Sequence, residues 1–351
     1  MTAETLVLSN FRCYGEAAFE FSPEINIIHG LNGTGKTSIL EALGYFATGR
    51  SFRRSKDAET VRFGAGHAKI CMTGISGGNA FKMGIQYLGT GRLKKQELNG
   101  QEVSSPRELL GIVTCVLFSP EDNQLIKDGP GERRRFLDIA LAQLKPKYVK
   151  ELSLYRRLCE EKTVLLRRAE EKPSFLELLP EYNRRIADKG AYLAAERAAF
   201  IGELSPFAAA HHSAVSGGRE TLALEYKTHA LNAEETLAHL EERLPAERAR
   251  LSCLVGCHKD EVDILIGGRP VRDYGSQGQV RTAALALKLA QRDVFTARLG
   301  EEPVLLLDDV LSELDAGRRE YILENLRGGQ VFITSCEPGE LGKGKALCIS
   351  T

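Results

Sequence analysis

One glycine-rich segment combines residue types and spacing that suit phosphate binding. It matches the pattern G-x-x-x-x-G-K-[ST] in full, directly after an apolar run that predicts a strand and before a run that predicts a helix. Backbone N–H groups of such a loop surround phosphate oxygens, its lysine reaches the β- and γ-phosphates, and its last hydroxyl binds Mg²⁺. A nucleoside triphosphate site is therefore predicted at Gly30, Leu31, Asn32, Gly33, Thr34, Gly35, Lys36 and Thr37.

A pair of acidic residues follows a second apolar run, VLLLDD at 304–309. At the tip of a central strand, Asp308 can hold Mg²⁺ and Asp309 can orient the attacking water. Acids at such a place also cap helices, and without a phosphate-binding loop elsewhere that structural role would be an equally good interpretation. Because the loop is present, Thr37 and Asp308 are predicted to hold the metal, and Asp309 is predicted to act as the base.

A third segment has the composition of an anion site. Ser276, Gln277, Gly278 and Gln279 precede an apolar stretch that predicts a long helix. Free backbone N–H groups and the helix dipole favour an anion at a helix N-terminus. One chain would not need both this site and the glycine-rich loop to bind the phosphates of a single nucleotide.

Strands are needed to position these segments. The runs TLVLSNF, AFEFS and INIIHG predict strands, the last of which leads into the phosphate loop. Between residues 64 and 103, short β-like runs separated by turn signals predict antiparallel hairpins. Buried strands are predicted from three further apolar runs, at 112–118, 304–309 and 331–335.

After Pro146 apolar residues recur at helical spacing, and a second such stripe follows a break that contains Pro173 and Pro180. The two stripes predict a short antiparallel helix pair with helices of about 26 residues. The sequence therefore predicts an α/β protein with an inserted, mainly helical arm. The predicted core comprises residues 1–120 and 256–351, and the predicted arm comprises residues 121–255.

The composition is that of a folded protein. The 351 residues include 43% hydrophobic and 27% charged residues, which excludes disordered, collagen-like and membrane-spanning classes. No run approaches the roughly 18 apolar residues of a spanning helix, and the N-terminus lacks signal-peptide order, so a cytoplasmic location is expected. Cys253, Cys257 and His258 lie close in sequence, but no second pair at zinc-ligand spacing accompanies them, so no zinc site is predicted.

Together the three motifs resemble the ABC-type ATPase fold. Ser276 to Gln279 resemble its signature motif, 312–315 its D-loop, and the strand around Asn10 the first strand of its chromosome-maintenance branch. Within that branch the chain resembles the RecF family over nearly its whole length. The runs that carry this resemblance are ATGRSFR (47–53), FSPED (118–122), GPGERRRFLD (129–138), GCHKDE (256–261) and DYGSQGQVRTAALALKLA (273–290).

The resemblance implies an ABC-type P-loop ATPase core with antiparallel β hairpins in its first lobe and the helical arm in its second. ATP and Mg²⁺ are the implied cofactors, with Lys36, Asp309 and Ser276 as catalytic residues and Arg12 beside the nucleotide. The segment from Ser276 to Gln279 is implied to complete the site of the opposite subunit.

Some positions depart from the family pattern: Cys257 stands where the family usually has proline, and Val280 where a second glutamine is common. Thr334-Ser335-Cys336 stands where many of these ATPases carry a switch histidine. Either Gln124 or Glu121 corresponds to the Q-loop residue, and a purely structural role, capping the following turn, is an equally good interpretation.

The implied function is that of an ATP-dependent homodimer that clamps duplex or single-strand/duplex junction DNA. Slow hydrolysis, as in a weak DNA-dependent ATPase, would release the DNA. The family also implies RecO and RecR as partners in loading recombinase at gaps, and no membrane contact. An ATPase motor subunit of a transporter is the alternative, but such a motor would normally lack the arm. A nuclease-associated ATPase with a long coiled coil is disfavoured because the arm is short.

Local charge clusters are the candidates for DNA contact, because the chain is neutral overall with 47 basic and 47 acidic residues. The segment 145–172 has nine Lys and Arg against five Asp and Glu. Further candidates are Arg133, Arg134, Arg135, Arg50, Arg53, Arg54 and Lys56. For any one of them, a solvated helix face or an internal ion pair is the better interpretation.

Overall fold

The computed structural model describes residues 1–53, 55–88, 93–228, 232–311, 314–326, 328–335 and 345–349. The strands are β1 (Thr2–Phe11), β2 (Tyr14–Glu20), β3 (Ile25–His29), β4 (His67–Ser76), β5 (Asn79–Leu88), β6 (Leu93–Leu98), β7 (Gln101–Glu102), β8 (Cys115–Phe118), β9 (Leu222–Lys227), β10 (Glu261–Ile266), β11 (Arg269–Pro270), β12 (Val304–Leu307), β13 (Val331–Ser335) and β14 (Lys345–Cys348). The helices are α1 (Lys36–Thr48), α2 (Asn123–Lys127), α3 (Pro130–Leu144), α4 (Pro146–Arg168), α5 (Leu179–Ser216), α6 (Ala233–Glu242), α7 (Leu244–Arg250), α8 (Val271–Tyr274), α9 (Gln277–Leu299) and α10 (Ala316–Asn325).

The first half of the chain forms an antiparallel sheet in the order β2-β1-β4-β5-β6-β7. Its predicted hairpins are confirmed. Gly77-Gly78 joins β4 to β5 and Asn99-Gly100 joins β6 to β7, and all four residues have positive φ. Two-residue loops with positive φ at both positions match the right-handed twist of the flanking strands, which explains these dipeptides.

A second, parallel sheet has the order β14-β3-β13-β12-β8. All four residues of β12 are buried, as the unbroken apolar run predicted for a central strand. Strand β13 lies between β3 and β12, so the carboxyl ends of β3 and β12 meet at one edge of the sheet. This edge positions both the phosphate loop and the acidic pair. Strand β8 begins at Cys115, later than predicted, because Val113 instead forms an isolated bridge with Leu110.

The predicted helical arm is present as α4 and α5, which are joined through a 3₁₀ turn at Pro173–Leu178. Helix α5 has 38 residues and is longer than expected, because its second half packs on α9 rather than ending with the arm. It ends at Gly217, whose positive φ allows the left-handed C-cap.

A third sheet, β11-β10-β9, pairs Leu222–Lys227 with Glu261–Ile266 across the predicted domain boundary at residue 256. The boundary itself stays a prediction. One hydrophobic cluster lies between the antiparallel sheet and α1, and a larger one joins the arm to α9 and the parallel sheet. Among the described residues, no helix has the length and apolar character needed to span a membrane.

Candidate functional site

The glycine-rich loop connects β3 to α1, as its pattern predicted. Gly33 and Gly35 have φ values of 84° and 101°, in the left-handed region that favours glycine. A Cβ at Gly35 would lie 2.5 Å from Cys13 Sγ and 2.8 Å from the Tyr14 hydroxyl. Glycine is therefore required here both by the backbone conformation and by the close approach of the turn between β1 and β2.

Lys36 starts α1 and folds back over the loop. Its Nζ donates to the carbonyl oxygens of Gly30 at 2.6 Å and Leu31 at 3.1 Å. The ammonium group thus lies at the mouth of the loop, where phosphate oxygens can replace these carbonyls as acceptors. Leu31 itself is 79% exposed, so the loop opens to the outside of the monomer.

Thr37 and Asp308 meet across the edge of the parallel sheet. The Thr37 hydroxyl donates to Asp308 Oδ1 at 2.9 Å, although 271 residues separate the two in sequence. Burial raises the pKa of Asp308, and the hydroxyls of Thr37 and Thr334 offset this only in part. A cation at this carboxylate would compensate its buried charge, and these oxygen donors are the kind that Mg²⁺ prefers. The residues therefore fit the implied metal.

Asp309 differs from Asp308 in exposure and in backbone conformation. Its side chain is exposed, and its φ is 54°, a sparsely populated value for a residue other than glycine. Its backbone N–H donates to Thr334 Oγ1 at 2.8 Å, and the same hydroxyl lies 3.0 Å from Asp308 Oδ1. The two neighbouring carboxylates therefore lie in different environments, one buried and the other exposed.

Thr334 is a site residue that sequence reasoning did not identify. Only the absence of a histidine near it was noted, whereas the structure places its buried hydroxyl between the two acids. Its place at the end of an apolar strand, VFITS, is the signal that could have indicated it. Cys336, the third residue of that segment, and Ser312 and Glu313 of the expected D-loop lie outside the described residues.

Arg12 lies beside the helix that follows the loop. Its guanidinium binds both carboxylate oxygens of Glu41 in α1, at 2.8 and 2.5 Å, and donates to the Glu59 carbonyl at 2.6 Å. Glu41 is fully buried. The pair fixes the turn after β1 against α1, so Arg12 borders the loop as expected, whereas its contact with a nucleotide stays a prediction.

The segment Ser276 to Gln279 forms the N-terminus of α9 with a capping box. Ser276 Oγ accepts the Gln279 N–H at 3.2 Å, and the Ser276 N–H donates to Gln279 Oε1 at 2.8 Å. Gln279 Nε2 also donates to Glu220 at 2.7 Å, and the Gly278 carbonyl accepts from Arg318 at 3.2 Å. The side chains of Ser276 and Gln277 are exposed. Contacts with Glu220 and Arg318 thus hold the segment in place, while the side chains of Ser276 and Gln277 stay accessible.

The two Q-loop candidates lie on the segment after β8. Ser119 and Asp122 form a capping box over a short 3₁₀ turn that contains Glu121, and Gln124 follows in α2. Lys288 from α9 binds Asp122 at 3.0 Å. Glu121 thus belongs to a capped turn, but neither candidate is distinguished as the functional one, so that question stays open.

Two arginines of the cluster at 133–135 make internal contacts. Arg133 is buried and binds both carboxylate oxygens of Glu261 at 2.6 and 2.8 Å, and Arg134 donates to the Asp260 carbonyl at 2.6 Å. Internal pairing was the favoured interpretation for these arginines, and it is correct for Arg133. Arg54 lies outside the described residues.

Comparison with known families gives one match over almost the entire chain. The profile described as RecF/RecN/SMC N terminal domain matches residues 2–349. The DNA replication and repair protein RecF of Acetivibrio thermocellus is 36% identical over 350 residues, which cover 97% of this chain and 94% of that protein. The protein with the same description from Symbiobacterium thermophilum is 38% identical over 353 residues, with coverage of 97% and 93%.

Solved structures give the same result. The recombination mediator protein RecF in its ATP form, described as part of the RecFOR pathway, superposes with a TM-score of 0.94 at 33% identity, covering 99% of this chain and 95% of that one. Its ATPrS form gives a TM-score of 0.93, also at 33% identity, with coverage of 99% and 96%. An SmcHead bound to the C-winged helix domain of ScpA gives 0.58 at 16% identity over 100% of this chain and 95% of that one, which supports the fold alone.

Proposed function

Because the chain belongs to the RecF family within the RecF/RecN/SMC group, we propose that it is an ATP-dependent DNA-binding protein of recombinational repair. Its fold is that of an ABC-type ATPase, and the whole chain resembles an SMC head domain in fold. The observation that carries the proposal is the Thr37–Asp308 contact at 2.9 Å, because it joins the phosphate loop to the acidic strand end. The alternative of a transporter motor is not favoured, since the similarity to RecF proteins covers nearly the whole chain.

Nucleotide binding is assigned to the loop from Gly30 to Thr37. Its N–H groups and the N-terminus of α1 attract the phosphates, and Lys36 exchanges its carbonyl partners for phosphate oxygens. Thr37 and Asp308 would hold Mg²⁺, which when bound neutralises charge on the phosphates. Arg12, anchored by Glu41, borders the site on the β1 side.

Hydrolysis is assigned to Asp309. An exposed carboxylate at the strand end can orient a water molecule and accept its proton, whereas the buried Asp308 serves the metal. Thr334 keeps these roles apart, because its hydroxyl contacts the carboxylate of one acid and the backbone N–H of the other. Slow turnover and a weak, DNA-dependent ATPase activity are proposed together with this role.

Dimerisation is assigned to two exposed segments, the glycine-rich loop and the N-terminus of α9. Ser276 to Gln279 would complete the nucleotide site of the opposite subunit, so that ATP joins two copies of the chain. The resulting homodimer would clamp duplex or junction DNA and release it after hydrolysis. RecO- and RecR-type mediators are the proposed partners in loading recombinase at gaps, on the similarity to RecF of the RecFOR pathway.

Sedimentation velocity with and without ATP, repeated with gapped DNA, tests this proposal. We expect a monomer without nucleotide, a dimer with Mg²⁺ and ATP, and a heavier complex when gapped DNA is added. The Lys36→Ala protein is the control and should stay monomeric under every condition. A parent protein that stays monomeric with saturating ATP and DNA would refute the clamp.

A further inference from the structure

A group of thiol and imidazole side chains lies between the helical arm and the segment that precedes β10. Cys159 in α4, Cys253 and His258 each offer one potential ligand atom, and these atoms all lie within 4.8 Å of one another. Cys253 and His258 are close in the sequence, which offers no second pair of ligands at zinc-ligand spacing. Folding supplies a further potential ligand from α4, 94 residues earlier in the chain.

The spacing is close to that of a metal site. Zinc bonds of 2.3 Å to sulfur and about 2.0 Å to nitrogen in a tetrahedron place the ligand atoms roughly 3.6–3.8 Å apart. Rotamer adjustments of about 1 Å would therefore bring the three atoms to ligating distance. Two thiolates and an imidazole are a soft donor set, which selects Zn²⁺ over Mg²⁺ or Ca²⁺.

The surroundings hold His258 in a suitable tautomer. Its Nε2 lies 3.1 Å from the carbonyl oxygen of Cys253, to which only a protonated nitrogen can donate. Metal-binding histidines generally donate the second ring N–H to a carboxylate, a backbone carbonyl or water, and this hydrogen bond orients the ring. Nδ1 is then the nitrogen with a free electron pair, and in this structure it accepts from the Tyr155 hydroxyl at 2.6 Å.

The segment that carries Cys253 and His258 is fixed before any metal binds. Glu247 Oε1 accepts the Leu254 N–H at 2.8 Å, and Glu247 also pairs with Lys162 of α4 at 2.6 Å, with both side chains fully buried. Gly256 has a φ of 131°, and a Cβ there would lie 2.2 Å from the Tyr155 hydroxyl. The backbone between Cys253 and His258 is thus held by Glu247 at Leu254 and packs closely on Tyr155 of α4 at Gly256.

We propose that Cys159, Cys253 and His258 form a binding site for a divalent transition-metal ion, with Zn²⁺ as the ion of choice. Binding releases one proton from each thiol, so that two thiolates and one neutral imidazole hold the ion, and water completes the tetrahedron. The two thiolate charges balance the ion, and the adjacent Lys162–Glu247 pair is itself neutral. The metal would fasten α4 to the segment before β10, at a place separate from the ATP site.

Cobalt titration of the full-length protein tests the site. The protein is reduced, stripped of metal with a chelator and titrated with Co²⁺, whose thiolate complexes absorb strongly. We expect one Co²⁺ per chain, displaced by Zn²⁺, and a rise in the melting temperature on metal addition. Cys159→Ser and Cys253→Ser should each weaken binding by roughly 100-fold or more, since loss of an outer contact alone costs 10–100-fold.

Two further variants sharpen the result. Cys71→Ser removes a half-buried thiol of β4 and should leave metal binding unchanged. Tyr155→Phe removes the hydroxyl that occupies Nδ1 and should bind Co²⁺ at least as tightly as the parent. The half-buried Cys159 is the decisive position if Cys253→Ser fails to fold. The proposal would be overturned if the parent protein bound no stoichiometric Co²⁺, or if Cys159→Ser bound Co²⁺ as tightly as the parent. Loss of Co²⁺ binding in Tyr155→Phe would also overturn it. The same holds if the two thiols bind no metal and only form a Cys159–Cys253 disulfide on peroxide treatment.

Discussion

Two neighbouring acids at the end of β12 have different environments. Asp308 is buried against the hydroxyls of Thr37 and Thr334, and Asp309 is exposed with a left-handed backbone. A buried carboxylate with hydroxyl partners suits a metal, and an exposed one suits a water molecule. The two residues are therefore expected to fail in different ways when they are changed.

Asp309→Asn should lower ATP hydrolysis by about 100-fold or more, because a positioned base contributes roughly 10²–10⁴-fold. ATP should still bind, and the dimer should accumulate on DNA. Asp308→Asn should instead reduce Mg²⁺-dependent nucleotide affinity and dimerise poorly. Steady-state phosphate release together with a nucleotide titration separates the two outcomes. Identical behaviour of the two variants would contradict the proposed division of roles.

Lys36→Ala should weaken ATP binding by roughly 10–100-fold, because a charge-assisted hydrogen bond contributes about 1.5–3 kcal/mol. The fold should persist, since Lys36 is a half-buried side chain whose Nζ donates to carbonyl oxygens of its own loop. The matched control is Lys150→Ala, which removes one exposed positive charge from α4. Fluorescent-nucleotide titration is the measurement, and equal affinity of the Lys36 variant and the parent would refute the loop assignment.

At the scale of elements, the N-terminus of α9 has two roles that must be separated experimentally. Ser276 caps its own helix through Gln279, and its exposed side is proposed to face the partner's nucleotide. Any substitution that removes the cap also lowers stability, so loss of the dimer alone would not identify the cause.

Ser276→Asp separates the two roles, because aspartate is as good an N-cap as serine but repels phosphate. Its free energy of unfolding should stay within about 0.5 kcal/mol of the parent while ATP-dependent dimerisation is lost. Ser276→Ala should instead cost about 1 kcal/mol of stability. Urea denaturation and sedimentation with ATP are the two measurements. A Ser276→Asp protein that dimerises like the parent would exclude the shared site.

Helix α5 is tied to its neighbours through one buried arginine. Arg197 is 2% exposed and donates to Asp138 at 2.8 Å, to the Tyr148 hydroxyl at 3.0 Å and to the Cys257 carbonyl at 2.6 Å. Asp260 lies 3.4 Å away. These contacts join α3, α4 and α5 to the segment before β10, so Arg197 connects the arm to the core.

Arg197→Ala should reduce the free energy of unfolding by about 3–5 kcal/mol, because Asp138 and Asp260 lose their buried counter-charge and Asp138 keeps only the exposed Arg156. Arg157→Ala is the control, since its pair with Glu161 is exposed and should contribute less than about 0.5 kcal/mol. Urea denaturation monitored by circular dichroism compares the two. Similar losses for both variants would show that the Arg197 network does not stabilise the arm.

At the scale of the whole molecule, a neutral chain contains opposite local charges. Residues 145–172 of the arm are basic, whereas residues 301–324 hold eight acids and two arginines around the strand end. DNA contact is therefore expected away from the acidic edge, through backbone phosphates rather than base edges.

DNA affinity in the ATP state should fall steeply with salt and vary little with sequence. Six phosphate contacts would reduce the affinity by about 10³-fold between 50 and 200 mM salt, because each contact releases counterions. Fluorescence anisotropy with two duplexes of unrelated sequence is the measurement, and the Lys36→Ala protein controls for nucleotide dependence. A flat salt dependence would contradict phosphate-led binding.

The sequence by itself determined the local elements and the strand–loop–helix form of the glycine-rich segment. A strand, two glycines with positive φ and a Lys-Thr pair at a helix start are neighbours in the chain, so their pattern is readable without tertiary contacts. The hairpin turns at Gly77-Gly78 and Asn99-Gly100 were readable for the same reason.

Only the tertiary structure decided which distant side chains meet. Thr334 between the two acids, Glu41 beneath Arg12 and Cys159 beside Cys253 each depend on contacts between separate elements. Periodicity indicates which face of an element is buried, but it does not specify the partner or the register against which that face packs. The order β3-β13-β12 set by strand pairing brings Thr37 and Asp308 within 2.9 Å, and no spacing along the chain encodes that distance.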